Sequence, residues 1–196
     1  MTSFDFVFSL FGLLLGFALI QLLSGFVRAI KASRPSPNDE RTAPPRLGWL
    51  TPLLGLFVLL DITSYWSNIW NVRTLIPMGL DVLFGVLLLS SIYYFASSLV
   101  FPDQPRDWPS FDRWFWLHRR EVLGCMFVVN LAWILISKSQ SALLRSPVES
   151  IAIQAAYFMP LAVAVLARSA RVVGAALGIL LLLYLGLAVE ALVGRF

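Results

Sequence analysis

One stretch limits what this chain can become. Trp49 to Arg73, WLTPLLGLFVLLDITSYWSNIWNVR, is long enough to cross a bilayer as a helix, yet it carries an aspartate, Asp61, near its centre. From Asp61 the polar residues Ser64, Asn68 and Asn71 follow at spacings of three, four and three. At about 100° per residue those four side chains share one stripe of a helix. An ionisable group at membrane depth costs about 3 kcal/mol on insertion scales, so it faces a bundle interior, a partner or water. The stretch therefore predicts a membrane protein with a buried polar seam.

The rest of the chain agrees. It is 59% hydrophobic and 13% charged, whereas a soluble domain keeps about a quarter of its residues charged. Mean hydropathy is +0.80. Six apolar segments can be drawn, at about 4–30, 49–72, 75–100, 122–136, 147–167 and 172–193, near the ~20 residues of a helical crossing except for the fourth, whose apolar part is short and follows an aromatic-basic stretch. They are continuous and Leu-rich, unlike the ~10-residue alternating segments of a β-barrel. The fold expected is all-α: a single polytopic transmembrane helical bundle over residues 1–196. Asp5 and the lack of early bases argue for a retained first span rather than a cleaved signal.

Orientation follows from the bases. Arg28, Lys31, Arg34, Arg41, Arg46, Arg106, Arg113, Arg119, Arg120, Arg168 and Arg171 fall on one side, and Arg73, Lys138, Arg145 and Arg195 on the other. The richer side is expected in the cytoplasm, which leaves both termini on the non-cytoplasmic side of a bacterial inner membrane. Loops 31–48 and 101–121 are then cytoplasmic. Within the second, DWPSFDRWFWLHRRE (Asp107 to Glu121) combines aromatics with bases, and Ser110 can cap a helix there. Arg113, Arg119 and Arg120 on an interfacial helix would meet anionic lipid headgroups. His118 in the same stretch has no evident partner. Short connections predict that spans two and three, and five and six, are antiparallel neighbours. Two sets of three spans leave room for an inverted repeat.

The chemistry-bearing residues are few. Asp61 leads, and Asp81, early in the third span, is the second acid near the seam. Gln21, Asn130 and Gln154 are polar groups at membrane depth and suit hydrogen bonds between helices. Gly12 with Gly16, and Gly174 with Gly178, fit a G-x-x-x-G spacing for close helix approach. One cysteine and one histidine exclude the usual Cys/His metal frameworks, and no metal site or cofactor is expected. No nucleophile, phosphate loop or paired-histidine motif emerges, so no enzyme is expected. The excess of bases reports orientation and not nucleic-acid binding.

Gly48 to Trp66 with Tyr93 to Asp103 (YYFASSLVFPD) resembles small uncharacterised multi-pass inner-membrane proteins of bacteria, a resemblance that implies no activity. On the residues themselves, the expectation is a cation or proton channel or transporter that uses the seam of Asp61, Ser64, Asn68, Asn71 and Asp81, as a homo-oligomer. The competing reading is a non-conducting accessory or assembly subunit, or a lipid-binding membrane protein.

Overall fold

The computed structural model describes residues 3–34, 44–71, 79–139 and 147–193. Six α-helices account for nearly all of them: α1 (Ser3–Ala32), α2 (Leu50–Asn71), α3 (Leu80–Val100), α4 (Phe111–Ser139), α5 (Pro147–Leu166) and α6 (Ala170–Val193). A single 3-10 turn, Pro105–Asp107, lies between α3 and α4. Four of the helices, α1, α2, α3 and α6, are long and apolar enough to cross a membrane. Their outward faces carry exposed apolar side chains such as Leu13, Ile20, Leu88 and Leu182. A water-facing protein seldom leaves so much apolar surface bare, so the bundle is built as a membrane protein.

Helix α2 is the hub. Half of it is buried (50%, against 22–28% in α1, α3 and α6), and it touches α1, α3, α4 and α6. Contacts at either end of each helix pair fix the directions. Phe26 lies against Gly55 and Trp66 against Gly12, so α1 and α2 run oppositely. Phe101 against Gly55, with Tyr93 on Asp61, sets α3 opposite to α2. Thr51 on Phe111, with Asn130 on Asp61, sets α4 parallel to α2. Arg119 on Ala164, with Asn130 on Tyr157, sets α5 opposite to α4. Trp49 over Gly174, with Tyr184 on Asp61, sets α6 parallel to α2. Successive helices thus alternate, and the start of α1 and the end of α6 fall at the same end of the bundle.

Several sequence expectations change here. Spans two and three touch, but α3 packs chiefly on α1 and α4, while α5 and α6 are close neighbours as expected. The two halves also pack differently: α1 lies mainly on α3, and α4 makes no comparable contact with α6 among the described residues. That asymmetry gives an inverted repeat no support. The described part of the third helix begins at Leu80, after an extended Gly79; residues 75–78 of the expected span, and most of the turn expected at 71–74, fall outside the described residues. The helical part of the aromatic-basic stretch is not a separate helix. From Phe111 onward it forms the first turns of α4, which runs unbroken for 29 residues.

Glycines serve aromatic rings rather than helix backbones. In each G-x-x-x-G pair only one member is crowded: the Trp66 ring lies over Gly12 and the Trp49 ring over Gly174, whereas Gly16 and Gly178 border open space. A methyl group on either crowded glycine would collide with an indole. The motif's backbone-contact reading does not apply to these pairs.

Candidate functional site

Asp61 sits one helical turn from Phe57 and Tyr65, among residues that are themselves buried, and it is 1% exposed. The α-helical repeat brings Phe57, Val58, Asp61, Ile62 and Tyr65 onto the inner face of α2, so the acid follows the apolar stripe into the bundle centre. Four side chains from four other helices close on it. Tyr93 of α3 donates its hydroxyl to Oδ2 at 2.8 Å. Tyr157 of α5 donates to Oδ1 at 2.9 Å, and Tyr184 of α6 donates to the same oxygen. Asn130 of α4 donates its amide to Oδ1 at 3.0 Å and shares it with Oδ2 at 3.3 Å. The same amide reaches the Met126 carbonyl at 2.9 Å and the Tyr157 hydroxyl at 2.8 Å.

The proton accounting is one-sided. Each tyrosine has one O–H, and all three are spent on Asp61; the Asn130 amide supplies two N–H groups to Asp61, Met126 and Tyr157. Asp61 is met only by donors, the arrangement that suits an acceptor-only carboxylate. Among the described residues no Lys or Arg takes part, so neutral dipoles meet the group. Hydrogen bonds to a charged group contribute about 1.5–3 kcal/mol each, against the large cost of leaving such a group unpaired in low dielectric. Five of the six helices meet at this point, and α1 alone stays outside it.

The chain matches no family model, no curated protein and no solved structure. Nothing in those comparisons indicates catalysis.

The seam named from sequence is only partly assembled. Ser64 and Asn68 are half-buried on the following turns of α2, but the partners of Asp61 come from other helices. Asn71 ends α2, and its side chain lies outside the described set. Asp81 is exposed in the first turn of α3 and has no place at the node. Asn130 does what its depth implied. The tyrosines were missed, although a signal existed: Tyr93, Tyr157 and Tyr184 fall inside apolar spans, where a hydroxyl must find an acceptor.

The bases at the start of α4 divide. Arg113 and Arg120 are exposed, as a headgroup role requires. Arg119 is not available for that role: it is buried, donates to the Ala164 carbonyl at 3.0 Å and lies 4.2 Å from the centre of the Trp116 ring. Ala164 belongs to the last turn of α5, whose carbonyls lack helical partners, so Arg119 caps that helix. Trp114 does the same for α3, donating its indole N–H to the Leu99 carbonyl at 2.8 Å. His118 gains partners that sequence did not reveal, Trp114 at 4.0 Å between ring centres and Glu121 at 3.6 Å. Among the described residues no cluster of His, Cys, Asp and Glu could hold a metal.

Proposed function

We propose that this chain is a non-conducting accessory or assembly protein of a bacterial inner membrane, crossing it six times with both termini on the non-cytoplasmic side. The Asp61 node is the lock of its bundle. One observation carries the reading: Asp61 is 1% exposed and, among the described residues, every hydrogen bond to its carboxyl comes from a neutral side chain of another helix. A conductor would have to exchange one of those donors for water or a cation at each turnover, and it would separate helices that the node joins. The four long apolar helices, the apolar run of α4 from Val122 and the shorter apolar helix Ile151–Leu166 support six crossings. The distribution of bases supports the orientation.

A cation or proton path along the seam is the second reading, and one observation favours it. The hydroxyls of Tyr65, Ser90 and Ser97 are buried without hydrogen-bond partners. They lie four residues from Asp61 on α2, and three and four residues from Tyr93 on α3. Flux decides between the readings. Vesicles containing the purified protein should pass no protons, sodium or potassium under imposed gradients. A wild-type flux that disappears in Tyr184→Phe, with the variant still folded, would establish the conducting reading instead.

A further inference from the structure

At the end of the bundle where α1 and α3 terminate, a groove of about 420 Å3 opens between the last turns of α1 and the 3-10 turn. Its size falls within the ~300–1,000 Å3 of small-molecule sites. Arg28, Lys31 and Arg106 supply three positive charges to its lining, and Asp107 supplies one negative charge. Arg28 and Lys31 lie three residues apart and share a face of α1, and Arg106 comes from the facing turn. The Arg28 guanidinium is only loosely engaged: it stands 3.8 Å from an Asp103 carboxylate that is itself 87% exposed. Its Nε is buried and has no hydrogen-bond partner. Unmet hydrogen-bonding capacity on Arg28 and three bases, against the two carboxylates Asp103 and Asp107, therefore meet at one concave place.

We infer that this groove binds a phosphate-bearing anion. Guanidinium groups pair with phosphate through parallel N–H donors, and the lysine adds a point charge. The exposed apolar side chains Ile20, Leu23, Val27 and Ile30 form a stripe along α1 beside Lys31, so a phospholipid whose headgroup is held in the groove can lay a chain on the adjoining helix face. A free phosphate monoester offers the same headgroup chemistry. The site is separate from the Asp61 node and does not depend on what the node does.

Thermal unfolding of the whole protein in a neutral detergent tests the site. Phosphatidylglycerol should raise the midpoint saturably, whereas phosphatidylcholine, whose choline offsets the phosphate charge, should do so weakly. Arg28→Gln and Lys31→Gln should each shift half-saturation to about tenfold higher phosphatidylglycerol, the loss of one charge-assisted contact. Arg168→Gln with Arg171→Gln, two exposed bases outside the groove, should leave it unchanged. Lys31 is exposed at a helix end, so its variant keeps the test valid if Arg28→Gln misfolds. Inorganic phosphate acting alone, with the same losses, supports the site and assigns it to a free anion; phosphatidylglycerol acting where phosphate does not assigns it to lipid. Equal losses in the Arg168 and Arg171 variant, or none in Lys31→Gln, overturn the inference.

Discussion

At the scale of single residues, the node gives Asp61 a role that substitution can weigh. Tyr93→Phe and Tyr184→Phe each remove one hydroxyl donor and leave the ring packing, so each should cost about 1.5–3 kcal/mol of stability in detergent unfolding. Tyr157→Phe should cost more, because its hydroxyl also accepts from Asn130. Asp61→Asn is not a silent probe. It places an amide among four donors, so at least one donor must turn away, and the loss should exceed that of any single tyrosine variant. An Asp61→Asn protein as stable as wild type would show that the node is not a lock. Asp61 and Asn130 were legible in sequence because a charge or amide inside an apolar span has no other use than a polar contact. The tyrosines were less so, because the same residue type serves equally as core or as interfacial anchor. Which helices meet at Asp61 is tertiary information, and no spacing along one chain contains it.

At the scale of elements, the entry to α2 shows how two loops are clasped. The Arg46 N–H donates to the Pro109 carbonyl, the Phe111 N–H returns to the Arg46 carbonyl, and Thr51 Oγ1 donates to the Phe111 carbonyl at 2.8 Å. Gly48 sits between them at φ +62°, with the Asp112 carboxylate packed where a side chain would project. Gly48→Ala should therefore cost about 1–3 kcal/mol, through left-handed backbone and collision together, measured by the unfolding midpoint. Burial raises the Asp112 carboxyl above its ordinary value, and a hydrogen bond from the Leu50 backbone partly opposes it. A carboxyl raised in the folded state binds its proton more tightly there than when unfolded. Its stabilising contribution is thus full below the unfolded value and is lost as pH rises through the folded one. The wild type should gain stability relative to Asp112→Asn as pH falls from neutrality towards 3.8, and parallel pH curves for the two proteins would contradict this. Helix existence was readable from apolar runs of spanning length. The clasp was not, because it depends on backbone groups that any residue carries.

At the scale of the molecule, direction and sidedness join two independent arguments. The contact pairs make successive helices alternate, from Gly12 with Trp66 at one end to Trp49 with Gly174 at the other. An alternating set of six places the first and last helix ends together whatever surrounds the bundle. The charge bias then points to the side: the ends of α1, α3 and α5, the starts of α2, α4 and α6 and the sequence segments that join them hold eleven of the fifteen Lys and Arg residues. Helix α4 is the element on which the count turns, since its first turns are polar and only the run from Val122 onward is apolar. If α4 crosses, a phosphatase fused after Phe196 should be active outside the cytoplasm, and a fluorescent protein fused there should stay dark. A fusion in the 35–43 connection should give the opposite pattern. If α4 instead lies along the surface, both fusion points should report the same side, because five crossings would carry the C-terminus to the cytoplasm with that connection. That outcome would be incompatible with the parallel packing of α4 and α6 on α2, which the contacts of Thr51, Asn130, Trp49 and Tyr184 fix, and it would overturn the six-crossing reading while leaving Asp61 in the middle of a crossing helix.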